Sequence, residues 1–223
     1  MIVVEFKCLF ISNYFDKCKG VKYSGYDAGI KFANLGSPAS DCVWSSVMMD
    51  EIASHIIDIV ANSVTARATD ISIDIEKDTY RNLLSLHVKD NGAGMDKETE
   101  EKVLDPFYTT KKGKKVGLGV PLLKGTAETT GGTFRLSSVV GQGTEIFATF
   151  DLSHPDLPPL GNIRDTMLVL VIGNPDTDFR FSLKVDSKQF VLDTKEIKHL
   201  LEGVPINHPE VITFLSKYID ENM

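Results

Sequence analysis

The chain reads as a two-layer α/β sandwich, an antiparallel or mixed sheet with helices on one face, followed by a small α+β extension. Three patterns predict this. Apolar residues recur at helical spacing between positions 50 and 68, and four later stretches alternate at period two in hairpin-like pairs. A Pro-rich run at 154–161 then separates these from a second set of helix, hairpin and helices.

In the first element, from Asp50 to Ala68, the residues Ile52, Ala53, Ile56, Ile57, Ile59, Val60 and Val64 make an apolar helix face. Opposite them Glu51, His55, Asp58, Asn62 and Thr65 advance by steps of four and three, which places them on one stripe. Ile71 to Glu76 and Leu83 to Asp90 alternate as strands of a hairpin joined around Asp78 to Asn82. A short acidic helix follows from Lys97 to Leu104. After the Gly117 and Gly119 turn, Pro121 suits an early helix position because its missing N–H costs nothing there, and the helix ends near Gly131-Gly132.

Thr133 to Val139 and Thr144 to Leu152 are strands split by the turn Gly141-Gln142-Gly143. His154 to Gly161 is a linker by composition. Beyond it, Ile163, Met167, Leu168, Leu170 and Val171 have helical spacing, and Phe179 to Leu192 reads as two strands turning at Asp186-Ser187-Lys188. Lys195 to Leu201 and Pro209 to Tyr218 are short helices. The domain organisation expected is a leader without an assignable fold at 1–47, a principal domain at 48–153, and the linker and extension at 154–223.

Composition narrows the function classes. The 223 residues are 42% hydrophobic, enough for a proper core, and the longest apolar run, Met167 to Ile172, is far short of the ~20 residues of a membrane span. The N-terminus has an acid within its apolar part and no basic lead, so it is a poor signal peptide, and a cytoplasmic location is expected. A net charge of -7 argues against broad nucleic-acid binding. Cys8, Cys18 and Cys42 match no zinc spacing and fit a reducing compartment, and His87, His154, His199 and His208 are scattered. The single basic cluster, Lys111, Lys112, Lys114 and Lys115, reads by itself as a solvated loop, and only the resemblance carried by the motifs on either side of it, given below, implies that it neutralises phosphate.

Those motifs are the most informative part of the chain. Asp90-Asn91-Gly92-Ala93-Gly94 ends a strand with a carboxylate and two close glycines; in isolation this reads first as a hairpin turn, and it also lets backbone come against a flat ligand that the aspartate can hydrogen-bond. Asn62 precedes it on the helix; Asp105-Pro106-Phe107-Tyr108-Thr109-Thr110-Lys111 and Gly117-Leu118-Gly119-Val120-Pro121 follow it. In order and spacing these four segments resemble the N, G1, F and G2 boxes of the GHKL superfamily, which includes sensor histidine kinases, anti-sigma-factor kinases, type II topoisomerases, mismatch-repair ATPases and heat-shock chaperones. The resemblance covers 48 to about 152 and implies the Bergerat ATP-binding fold with ATP and Mg²⁺ as cofactors.

It also implies roles. Asp90 accepts the adenine amino N–H, with Gly92, Gly94 and Met95 around base and ribose, the two glycines leaving room for them. Asn62 ligates the magnesium, as a hard amide oxygen suits it. Asp58, one turn earlier, stands where the family often carries a glutamate that orients the attacking group, and is shorter by one methylene. Phe107, Thr109, Thr110 and Lys111 belong to a short lid from Thr109 to Val116 and its base, and Gly117, Leu118 and Gly119 offer amides to phosphate. His55 reads as a pocket-wall residue on the same stripe, since a fixed helix does not swing it to the γ-phosphate.

The Phe107 to Lys111 run with so short a lid looks most like the catalytic domain of sensor histidine kinases. Such kinases carry their acceptor histidine on an upstream helix pair, which the leader's pattern does not suggest. Asn62-Ser63, Asp105 to Thr110, Leu157 to Gly161, Val191 to Thr194 and Gly203 to Asn207 together also resemble stand-alone ATP-binding proteins of anaerobic bacteria, often encoded beside iron-only hydrogenase subunits. Two functions follow as expectations. One is a histidine-kinase-like phosphotransferase or slow ATPase acting on a separate protein, with a hydrogenase-related partner in view. The other is an ATP-gated protein-binding regulator, in the manner of anti-sigma-factor kinases, without phosphotransfer.

Overall fold

The computed structural model describes residues 51–105 and 118–223. In chain order the elements are α1 (Ile52–Thr65), β1 (Asp70–Asp78), β2 (Leu83–Asp90), α2 (Lys97–Lys102), α3 (Gly119–Thr129), β3 (Phe134–Val139) and β4 (Gly143–Asp151). Beyond the Pro-rich run come α4 (Ile163–Gly173), β5 (Asp178–Val185), β6 (Lys188–Asp193), α5 (Thr194–Leu200) and α6 (Pro209–Asn222). The leader at 1–47 lies outside the described residues.

The six strands form one mixed sheet in the order β3-β4-β2-β1-β5-β6. Every pairing is antiparallel except β1 with β5, which is parallel. Register explains why one face is covered. Leu136, Ile146, Val88, Ile73, Phe181 and Leu192 stand in one row across the sheet, all turned toward the helices and most of them buried. One residue along, Arg135, Phe147, His87, Asp74, Ser182 and Val191 make the opposite, open face. There His87 Nε2 meets Glu145 Oε1 at 2.7 Å, an arrangement a wet surface tolerates.

The two strands of the expected extension therefore complete the same sheet. The Pro-rich run is likewise anchored. α1 has no side-chain cap at Glu51, and its first amides are satisfied instead by the segment after β4: Ile52 N–H donates to Pro159 O at 2.9 Å and Ala53 N–H to Leu160 O at 3.0 Å. α4 is capped by Asn162, whose side chain accepts from Asp165 N–H at 3.0 Å, and buries Ile163, Met167, Leu170 and Val171. Arg164 ties α4 to α6 through Asp220 Oδ2 at 2.8 Å, while Val211, Leu215 and Ile219 form the inner stripe of α6. Among the described residues, no helix is long and apolar enough to cross a membrane.

Candidate functional site

Asp90 is the last residue of β2 and pairs with Ile71 of β1. The alternation that turns Leu84, Leu86 and Val88 inward turns the Asp90 carboxylate inward too, leaving the residue 8% exposed. A carboxylate in that position needs donors. Ser63 Oγ donates to Oδ2 at 2.6 Å, Gly92 N–H to Oδ1 at 2.8 Å and Thr144 N–H to Oδ1 at 3.3 Å. An ionised carboxylate offers about four acceptor positions. Among the described residues, three donors leave one position for a ligand N–H.

The loop after Asp90 is fixed from three sides. Ala93 N–H donates to Ala66 O at 2.9 Å, just past α1, and Gly141 N–H, in the β3–β4 turn, donates to Ala93 O at 2.7 Å. Asn91 Oδ1 accepts from Thr69 N–H and Asp70 N–H at 2.9 and 3.0 Å, and Met95 N–H donates to Ser138 Oγ at 2.8 Å. Gly94 has φ +65°, and a Cβ there would lie 2.0 Å from the Val139 carbonyl oxygen. The missing side chain at Gly94 thus lets the β3–β4 turn approach this loop closely. At Gly92 a Cβ would press Ala66 and Asp90 Oδ1, each at 3.0 Å. Gly143, with φ +108°, brings β4 so close that a Cβ would stand 1.9 Å from Asp90 O.

On α1, Asp58 is half-buried and Asn62 is exposed beside Ser63, the partner of Asp90. The predicted stripe is not uniform, because His55 is 1% exposed and lies under α3, with Nε2 3.4 Å from Thr126 Oγ1. Burial pushes the His55 pKa down, which favours the neutral ring. α3 begins against Asp58: a Cβ on Gly119 would lie 3.0 Å from Asp58 Cβ and 3.4 Å from Oδ2. Its N-cap, Leu118, makes no side-chain cap bond, and its first turn carries no acid. The nearest anion to that end among the described residues is the Asp58 carboxylate of α1.

The structure thus brings Asp58, Asn62, Asp90, Gly92, Gly94, Met95, Leu118 and Gly119 into one set of adjoining elements. Phe107, Thr109, Thr110, Lys111 and Gly117 lie outside the described residues. Sequence reasoning missed Ser63, Ala66 and Thr144. A signal existed for Ser63, a hydroxyl on the buried side of a helix, but its partner 27 positions away in the chain did not show. A separate groove of about 500 Å³ lies between α3, at Leu122, Thr126 and Thr129, and the segment carrying Asp156, Pro158 and Pro159. None of the expected ligand residues among the described residues lines it.

Residues 48–154 match the family described as histidine kinase-, DNA gyrase B- and HSP90-like ATPase. Sensor kinase CckA of Brucella abortus is 37% identical over 101 residues, 42% of this chain and 10% of that one. Signal transduction histidine-protein kinase AtoS of Escherichia coli is 33% identical over 108 residues, 48% of this chain and 17% of that one. Sensor histidine kinase WalK of Bacillus subtilis is 28% identical over 121 residues, 51% of this chain and 20% of that one. The chain spans a fifth or less of the length of these relatives.

Proposed function

We propose, given that residues 48–154 form a histidine-kinase-like (GHKL) ATP-binding domain similar to sensor histidine kinase catalytic domains, that the chain binds Mg²⁺–ATP and passes its γ-phosphoryl group to a separate protein, or slowly to water. The observation that carries this is the Asp90 carboxylate, buried, held by Ser63, Gly92 and Thr144, and left, among the described residues, with one acceptor position. That position suits the amino N–H of adenine and rejects a base presenting a carbonyl there.

Bound ATP supplies a transferable phosphoryl group, and magnesium neutralises its charge. The chain's own residues do the rest. Asn62 would offer an amide oxygen to the cation, and the first turn of α3 would receive phosphate oxygens. Asp58, packed on Gly119 and one helical turn before Asn62, would take a proton from the attacking group. Lys111 and the segment from Thr109 to Val116 would close over the phosphates.

A second reading, an ATP-gated protein-binding regulator, is favoured by Asp58 itself. It is a short carboxylate packed on Gly119, a poor arrangement for efficient activation of water. The first partner to test is an iron-only hydrogenase assembly, on the resemblance carried by Leu157 to Gly161, Val191 to Thr194 and Gly203 to Asn207. Incubation with γ-labelled ATP and Mg²⁺, with and without candidate partners, separates the two readings. Acid-labile label on a partner, absent with Asn62→Ala, supports phosphotransfer. Nucleotide-dependent complex formation with no labelled protein and no released phosphate overturns it in favour of the regulator.

A further inference from the structure

His55 is a buried titratable group with no part in the adenine contacts. It is 1% exposed, and among the described residues its Nδ1 has no hydrogen-bond partner. An unsatisfied ring nitrogen in a core is costly, and an apolar side chain of similar volume would fill the space without that cost. The other nitrogen, Nε2, lies 3.4 Å from Thr126 Oγ1 on α3. With its pKa held down by burial, the ring is neutral near pH 7.

The place of this pair gives it meaning. Asp58 meets Gly119 at the start of α3, and His55, three residues before Asp58, meets Thr126, seven residues after Gly119. α1 and α3 therefore run antiparallel, and these are two points of contact along one seam. The first point is at the phosphate end, and the second is deeper in the core.

We propose that His55 is a positioning residue, which through Thr126 fixes where the first turn of α3 stands relative to Asp58 and Asn62, and so sets affinity for the triphosphate and not for the adenosine part. This rests on the reading of the Asp90 site as an ATP site. A merely structural histidine would act on stability and on all ligands alike. A positioning histidine separates them, and the orphan Nδ1 makes stability move the other way.

The test uses the full chain and its His55→Leu, His55→Gln and Thr126→Val variants. Affinities for Mg²⁺–ATP, Mg²⁺–ADP and adenosine are measured by competition, and thermal midpoints are measured without nucleotide. His55→Leu is expected to melt no lower than the parent and to bind adenosine unchanged, with ATP weakened about fivefold, the equivalent of one neutral hydrogen bond. His55→Gln, whose amide reaches toward Thr126, restores ATP affinity, while Thr126→Val reproduces the loss. Equal loss of adenosine and ATP, or no loss of ATP in either His55→Leu or Thr126→Val, overturns the proposal. If His55→Leu does not fold, the split in Thr126→Val between ATP and adenosine decides alone. An Asp90→Asn control distinguishes the two levels. ATP lost there but fully retained in His55→Leu refutes the His55 role, whereas ATP retained in Asp90→Asn refutes the site itself.

Discussion

In the proposed function, recognition turns on the contact of Ser63 with Asp90, a 2.6 Å hydrogen bond between a hydroxyl and a carboxylate that are 3% and 8% exposed. A hydrogen bond to a charged group is worth about 1.5–3 kcal/mol. Ser63→Ala is therefore expected to lower stability by about 1–2 kcal/mol and ATP affinity about tenfold, measured by denaturant titration and by calorimetry. At the same scale, His55 makes stability depend on pH. Its folded pKa lies below the ordinary 6.5, so the unfolded chain takes up a proton that the folded chain refuses. The sign follows: stability is complete above 6.5 and falls as pH drops below it. The thermal midpoint of the parent is expected to fall more than that of His55→Leu between pH 7.5 and 5.5. Parallel pH profiles would contradict the assignment of a depressed pKa to this ring.

At the scale of elements, the glycines of the β3–β4 turn hold the site as much as the motif glycines do. A side chain at Gly143 meets the Asp90 carbonyl oxygen at 1.9 Å and a backbone with φ +108°, and neither a rotamer nor a flexible neighbour relieves it. Gly143→Ala is expected to lose more than about 3 kcal/mol or to fail to fold, whereas Gly125→Ala, with nothing within 4 Å and an interior helix position, is expected to gain about 0.5–1 kcal/mol. Every strand and helix of the described residues was legible in the sequence, because Ile71, Ile73 and Ile75 or Val211, Leu215 and Ile219 carry their period within a single element. The Asp90 strand end was legible for the same reason. What could not be read is what joins distant elements. The parallel pairing of β1 with β5, the capping of α1 by Pro159 and Leu160, and the Ser63 and Thr144 donors all depend on tertiary approach. Asp193, noted within a resemblance, turns out to have a local task, accepting from Lys195 N–H at 3.0 Å as the cap of α5.

For the whole molecule, the placement of the C-terminal third argues that the ATP-binding part does not stand alone. Phe179, Phe181 and Leu183 lie beside Ile71, Ile73 and Ile75, and the first amides of α1 depend on Pro159 and Leu160. A fragment cut to 48–153 would leave β1 as an apolar edge strand and α1 uncapped. It is expected to show no cooperative thermal transition, followed by circular dichroism, while the full chain shows one. A sharp transition in the fragment would mean that the sheet closes at β1 without its C-terminal neighbours. The proposed function rests on the same sheet, since β2 carries Asp90, β4 carries Thr144 and the helix packed on it, α1, carries Asn62 and Ser63. Calorimetric titration of the full chain and of Asp90→Asn with Mg²⁺–ATP tests this account most directly. Saturable binding by the parent, weakened about 100-fold or abolished by removing the carboxylate, is the result it predicts. Equal affinity in the two proteins would contradict it.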